Sequence, residues 1–337
     1  MQYKRLGNSG LLVSDLCLGT MIFGEGGRGT PPDEARRIID TYLDAGGNHL
    51  DTANVYVGGR SEEIVGDAIK GKRDKVIIAT KTRFPMGDGK NQQGLSRHHI
   101  MNAVEASLRR LQIETIDLYY MHGIDPLTPL EESLRAFDDL VTAGKVRYIG
   151  VSNFKAWQVM KSVALSEANG WAKFVAGQYQ YSLVKRDLEY EFLDLFESEG
   201  IGMTPWGPLG GGFLSGKYQR DQQPGTEAGR IGNAQPEHEE SWERRNIERN
   251  WRIVDAVNEI AQERGATHSQ IALAWVRAQP TVSSVIMGVR TMQQLEDNLA
   301  AAELTLTEGE LTQLDEVSQM PELYPYRMIQ DYMMRTP

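Results

Sequence analysis

The chain has 337 residues, with 36 Lys and Arg against 46 Asp and Glu, a formal net charge of -10. That length suits one large α/β domain or two ordinary ones, with a core that needs no covalent staples. The acidic balance, without any long basic run, disfavours a nucleic-acid partner, because holding a duplex takes clustered Lys and Arg to neutralise phosphates.

The single cysteine, Cys17, lies in the apolar run Leu16-Cys17-Leu18. It rules out an internal disulfide framework and reads as a small buried hydrophobe in a reducing compartment. The N-terminus lacks the apolar core of a signal peptide, and no apolar stretch is long enough to span a bilayer. The expectation is a cytoplasmic protein with no membrane partner.

In chain order, residues 4–13 are expected as a hairpin turning at Gly7-Asn8-Ser9-Gly10. Short apolar runs then alternate with helically spaced segments. The runs are 15–19, 48–51, 76–80, 115–120, 146–151, 174–178, 202–205 and 284–287. The helix after Asp33 carries Ile38, Ile39, Tyr42 and Leu43 and ends at Gly46-Gly47. In 96–111, Ile100, Val104, Leu108 and Leu111 share a face. In 128–143, Thr128 and Glu131 predict a capping box, Leu134, Phe137, Leu140 and Val141 share a face, and Gly144 stops the helix.

The seventh connection, 209–245, is the exception. It holds Gly210-Gly211-Gly212 and Pro224-Gly225 and shows no apolar periodicity, so it is expected to be a mobile lid. A helix around 253–264 follows it, then one opened by a second capping box, Thr267 with Gln270. The chain closes with a helix after Thr307 and a tail rich in Tyr and Met.

Eight strand candidates with interleaved helices predict an α/β chain, a (β/α)8 TIM barrel with an N-terminal β-hairpin and extra C-terminal helices, as a single domain over 1–337. The alternative is an open doubly wound sheet, which calls for a G-x-G-x-x-G turn running straight into a helix. The glycine-rich stretch 23–29 does not do this.

A barrel of this kind carries its chemistry at the C-terminal ends of its strands. There the polar residues gather. Asp51 and Tyr56 leave strand two, Lys81 strand three, His122 strand four, Ser152-Asn153 strand five and Gln178 strand six. Trp206 leaves strand seven and Gly288-Val289-Arg290 strand eight. Alone, each has a bland reading: a helix-capping Asp, a rim Tyr, a solvated Lys, a satisfied His.

Together they equip a site for proton transfer. A phenol near pKa ~10 is a weak acid at neutral pH. A neighbouring ammonium stabilises the phenolate and lowers that pKa, and a carboxylate keeps the ammonium charged and placed. A histidine can bond a substrate oxygen. None of these groups carries hydride, so a cofactor must. No histidine cluster has metal-ligand spacing; Asp125 permits only an Asp/His pair with His122.

The pattern resembles the aldo-keto reductases over nearly the whole chain. Asp51-Thr52-Ala53 with Tyr56, Lys81 and His122 match that family's catalytic tetrad, 150–154 its strand-five signature, and 288–291 with Gln294 and Asn298 its cofactor-phosphate and adenine end.

The resemblance implies NADP(H) as cofactor and a small-molecule carbonyl substrate. Ser152, Asn153 and Gln178 would hold the nicotinamide carboxamide, and Trp206 would stack on its ring. Gly207, Pro208 and Leu209 through Gly211, Gly216 and Lys217 would fold over the pyrophosphate. Gly19, Thr20, Met21 and Asp51 would also contact the cofactor. Gly288-Val289 stands where many members have Lys-Ser or Lys-Thr, which leaves Arg290, after Gly288, as the positive contact for the 2′-phosphate. This form is similar to a branch holding bacterial reductases and potassium-channel β subunits.

The expected function is therefore NADPH-dependent reduction of an aldehyde or ketone, with Tyr56 as general acid. The alternative is a nucleotide-binding regulatory or redox-sensing subunit with little turnover. Neither substrate nor oligomeric state is legible in the residues.

Overall fold

The computed structural model describes residues 1–225 and 229–333; positions 226–228 of the seventh connection and 334–337 of the tail lie outside the described residues. The hairpin is β1 (Tyr3–Arg5) paired antiparallel with β2 (Leu12–Ser14). Eight parallel strands follow: β3 (Leu16–Gly19), β4 (His49–Asp51), β5 (Ile77–Thr82), β6 (Ile116–Met121), β7 (Val146–Ser152), β8 (Phe174–Gln178), β9 (Gly202–Met203) and β10 (Val285–Gly288). From β3 to β9 each pairs with its successor, and β10 pairs with β3. The ring closes between β9 and β10, where Met203 bridges Val282 and the Ile286 N–H donates to the Pro205 carbonyl at 2.9 Å. The architecture is a (β/α)8 barrel.

The crossover helices are α1 (Pro32–Asp44), α2 (Arg60–Ala68), α3 (Arg97–Leu111), α4 (Leu130–Thr142), α5 (Ala156–Asn169) and α6 (Phe192–Glu199). Between β9 and β10 lie α7 (Arg230–Asn233), α8 (Trp242–Arg245), α9 (Glu248–Arg264) and α10 (His268–Ala278). After β10 come α11 (Met292–Ala300) and α12 (Glu308–Val317). The caps follow the local sequence: Ser96 caps α3, and Thr267 with Gln270 and Thr307 with Glu310 form capping boxes on α10 and α12.

The period of two along each strand decides what faces the lumen. Leu50, Ile78, Tyr119 and Val151 belong to the main core between sheet and helices. Ala79, Leu118, Tyr120 and Ala176 form a second cluster inside the barrel, closed by Leu6 and Val13 of the hairpin. By the same alternation His49 and Asp51, Lys81, Ser152 and Gln178 point inward. Lys4 ties the hairpin to the barrel by donating to the carbonyls of Arg277 and Val282 at 2.9 and 3.0 Å. On α4, Leu134, Phe137 and Leu140 are buried, and Phe137 stacks on Tyr119 at 5.1 Å between centroids. Each such side chain contributes roughly 1.5–3 kcal/mol by leaving water.

Three expectations are corrected. The seventh strand ends at Met203, short of Pro205. Proline has no N–H for the ladder, and pairing resumes at Trp206, whose N–H donates to the Tyr179 carbonyl at 2.9 Å. The capping box at Thr128 and Glu131 does not form; α4 is capped by Pro129 without a side-chain bond. The Thr128 hydroxyl donates instead to Asp125 Oδ2 at 2.6 Å.

The long connection is also more structured than its composition foretold. Residues Gly210–Ser215 form a 3-10 turn, Trp242 of α8 packs against Tyr218 and Trp251, and Arg230 pairs with the buried Glu240 at 2.5 Å.

Candidate active site

β4 and β5 lie side by side with Asp51 paired to Ala79, so inward-facing Asp51 and Lys81 meet at the top of the lumen. The Lys81 ammonium donates to Asp51 Oδ1 at 2.5 Å, to the Thr52 carbonyl at 2.7 Å and to the Tyr56 hydroxyl at 3.2 Å. Three acceptors therefore meet a fully buried ammonium, the arrangement a charge needs once removed from water. The second Asp51 oxygen accepts from Gln178 Nε2 at 2.8 Å.

His122 follows β6 with its ring edge-on to Tyr56, 5.8 Å between centroids, and to Phe84, 4.7 Å. The structure thus brings together all four expected catalytic residues. Asp125 is not paired with His122. Its oxygens accept from the N–H groups of Leu95 and Leu127 and from Thr128.

Burial sets the electrostatics. It opposes the charge on Lys81, but Asp51 and then Tyr56 more than compensate, and the lysine pKa is raised. Burial pushes the Tyr56 phenol above its ordinary value, and Lys81 offsets this only in part. The expectation of a lowered phenol pKa is not met here: desolvation outweighs the ammonium. Burial, then the charges of Lys81 and Arg83, hold His122 well below the usual histidine range, so its ring is neutral at pH 7. Its Nδ1 is buried with no protein partner.

The residues expected to hold cofactor spread from this point around the rim. Thr20 is buried, and its hydroxyl donates to the Asp51 carbonyl at 2.9 Å; Gly19 ends β3, and Met21 is exposed. Ser152 donates to the Gln178 carbonyl at 2.7 Å, and Asn153, at φ 56°, donates to the His122 carbonyl at 2.9 Å. Asn is among the few side chains that tolerate that conformation.

Trp206 is half-buried beside Gly207 and Pro208, and Leu209 leads into the glycine turn. A Cβ at Gly207 or Gly211 would lie 3.4 or 3.3 Å from Glu240, one at Gly212 3.1 Å from Lys217 Nζ, and one at Gly216 2.9 Å from the His268 ring. Glycine leaves this stretch of backbone bare. Gly288, the last residue of β10, and Arg290, two positions on, are exposed. Gln294 Oε1 accepts from the Arg290 N–H at 2.8 Å, and Asn298 is buried one turn further on α11. Asp297 turns away to accept from Thr267 and Gln270 at the start of α10.

Two cations escaped sequence reasoning. Arg28, in the glycine-rich loop after β3, lies within electrostatic reach of Arg290 and Lys217, and Arg230 on α7 within reach of Arg28. Neither has a periodic neighbourhood to mark it. The only signal was the glycine run beside Arg28. Among the described residues Arg28, Lys217 and Arg290 have no carboxylate partner, whereas Arg230 pairs with Glu240. Bare glycine backbone, unpaired cations and orphaned buried nitrogens on Arg28 and His122 together fit a bound dinucleotide. No group of His, Cys, Asp and Glu among the described residues could hold a metal ion.

Comparison with known proteins gives the family. Residues 15–319 match the model of the aldo/keto reductase family. An uncharacterized oxidoreductase of Bacillus subtilis, YrpG, is 37% identical over 97% of this chain and 100% of its own length. A probable voltage-gated potassium channel subunit beta of Arabidopsis thaliana is 36% identical over 96% of this chain and 100% of its own. Norsolorinic acid reductase of Aspergillus flavus is 34% identical over 96% of this chain and 82% of its own. With the barrel and the match along its length, the chain belongs to the aldo/keto reductase family, as a nicotinamide-dependent oxidoreductase of carbonyl compounds.

Proposed function

We propose that the protein reduces an aldehyde or ketone to an alcohol with NADPH, and that Tyr56 is the general acid. The observation that carries this reading is the Tyr56 hydroxyl held 3.2 Å from a buried ammonium that is itself fixed by Asp51. Ser152, Asn153 and Gln178 would hold the nicotinamide, which when bound would supply hydride for the carbonyl carbon. The carbonyl oxygen gains charge and takes the proton of Tyr56. Lys81 stabilises the phenolate left behind, and Asp51 keeps Lys81 charged and in place. A neutral His122 has one ring N–H to donate, so it can orient a carbonyl oxygen without competing as the acid. A raised phenol pKa keeps Tyr56 protonated, the state a reduction requires.

Arg290 supports the choice of NADPH: it stands exposed before α11, without an ion pair among the described residues, where helix dipole and guanidinium both favour a phosphate. Lys217 and Arg230 are the cations for the pyrophosphate. The test is loss of NADPH absorbance with a panel of aldehydes and ketones, run in parallel with NADH. Turnover that favours NADPH is expected. Turnover that favours NADH overturns the cofactor choice.

A second reading, a nucleotide-binding subunit with little turnover, draws on the likeness to a potassium-channel subunit beta. Tight NADPH binding without oxidation across the whole panel would favour it.

A further inference from the structure

Among the described residues Arg28 makes no ion pair, and the charge of Glu240 reaches it only as the weakest of the influences on it. Arg28 sits in the loop after β3, which folds back on itself through the Gly24 N–H to the Thr30 carbonyl at 2.9 Å and the Gly29 N–H to the Gly26 carbonyl at 2.8 Å. The loop is fastened at two ends. Glu25 pairs with Arg60 at 3.2 Å, and the Thr30 hydroxyl donates to the Arg290 carbonyl at 3.3 Å. The second contact brings the loop directly onto the residue that leaves β10. Arg28 lies two positions before Thr30, half-buried, with its Nε shielded from solvent and without a partner.

Burial, then the charges of Arg290 and Arg230, depress the Arg28 pKa, and Lys217 is depressed by burial and by Arg28 and Arg290. Like charges gathered in a partly desolvated place oppose one another until an anion enters.

We propose that Arg28 is a specificity-determining residue: it faces Arg290 across the site and binds the same 2′-phosphate, so that one phosphate joins the loop after β3 to the loop after β10. This rests on the NADPH reading above. It adds a second guanidinium, from the opposite wall, to a contact that Arg290 would otherwise make alone. The Thr30 bond to Arg290 fixes how far apart the two loops stand. With no carboxylate paired to it among the described residues, Arg28 keeps its guanidinium donors for the ligand. Losing a charge-assisted bond to one phosphate corresponds to roughly ten-fold to a hundred-fold in affinity.

The test measures dissociation constants by fluorescence or calorimetry for NADPH, NADH, adenosine 2′,5′-bisphosphate and ADP. The proteins are wild type, Arg28→Met, Arg28→Lys, Arg290→Ala and the double variant Arg28→Met with Arg290→Ala. Arg28→Met should weaken NADPH and the bisphosphate at least about ten-fold and leave NADH and ADP within about two-fold. Arg28→Lys, with charge but no fork, should fall between. The double variant should lose less than the product of the two single losses, because both residues hold one anion.

Wild type that binds the bisphosphate no better than ADP defeats the NADPH reading itself. Wild type that discriminates while Arg28→Met discriminates equally well overturns only the Arg28 inference, as do equal losses for all four ligands or strictly multiplicative losses in the double variant. Without ligand, Arg28→Met should melt no lower than wild type, since Arg28 has no ion-pair partner to lose among the described residues. A lower melting point would make Arg28 structural and overturn the proposal.

Discussion

The two ends of the site treat positive charge in opposite ways. At the tetrad end, Lys81 is fully buried and met by a carboxylate, a carbonyl and a phenol. At the phosphate end, Arg28, Lys217 and Arg290 gather without an ion-pair partner among the described residues, the nearby Glu240 being taken by Arg230. The first charge is complete before any ligand arrives, and it stands on adjacent strands. The second set is carried by loops and becomes balanced only with an anion present. The contrast separates a preorganised chemical centre, where reorganisation would cost rate, from a binding region that gains most from its ligand.

The largest expected effect is at the tetrad end. Tyr56→Phe removes the acid and leaves Lys81 and Asp51 paired, so turnover should fall about 10²–10⁴-fold. NADPH affinity, followed by fluorescence titration, should stay near wild type. Near-normal turnover would sink the assignment of the acid and with it the chemical half of the contrast.

Next is the long connection. If 209–225 and 229–230 close over the cofactor, amide exchange there should slow on adding NADP⁺, by up to roughly a hundred-fold at a hundred times Kd. Amides of β4 and β5 should change little, because that end is already set. Unchanged exchange with cofactor demonstrably bound would remove the clamp role. The structure already tempers the idea of a loose lid, since Trp242 packs on Tyr218 and Trp251.

Arg290→Ala comes third. Charge-assisted bonds are worth ~1.5–3 kcal/mol, so NADPH should bind roughly ten-fold to a hundred-fold more weakly while NADH barely changes. Equal losses for both would separate Arg290 from the 2′-phosphate.

How much of this was legible beforehand follows the same division. Parallel strands buried on both faces read as short apolar runs, so 174–178 was matched and 146–151 differed by one residue. Asp51, Lys81 and His122 were legible because they end such runs. Arg28, Arg230 and Glu240 were not, because loop residues meet through tertiary closure and leave no period in the chain. Thr128 with Glu131 failed for a local reason with a distant cause. The motif was correct on paper, but Asp125 took the hydroxyl and Pro129 became the cap. The phenol shift was misjudged in sign because only the neighbouring charge is visible in a sequence, whereas burial is a property of the fold.

The smallest effect probes how strictly the barrel interior rations charge. His49 is inward-facing on β4, two positions before Asp51. Its Nδ1 is 3.1 Å from Ser284 Oγ, its Nε2 is buried without a partner, and burial followed by the charge of Lys81 lowers its pKa to about 3. It has no carboxylate of its own, because both Asp51 oxygens are taken by Lys81 and Gln178. The fold therefore binds the neutral ring, while the unfolded chain binds a proton near pH ~6.5. The folded state then holds fewer protons than the unfolded state between those two values. Stability from this group is fully present above about pH 6.5 and declines as pH falls toward 3. The slope has a ceiling of ~1.4 kcal/mol per pH unit for one group. His122, held down by burial and by Lys81 and Arg83, adds a loss of the same sign. Urea unfolding of wild type and His49→Asn at pH 7, 6, 5 and 4 isolates the His49 share. The variant starts less stable and loses stability more gently with acid, by up to ~1.4 kcal/mol per unit below pH 6. Parallel curves for the two proteins would mean that His49 accepts a proton inside the barrel. The interior would then tolerate a second cation beside Lys81, and the contrast between a completed charge within and waiting charges at the rim would not hold.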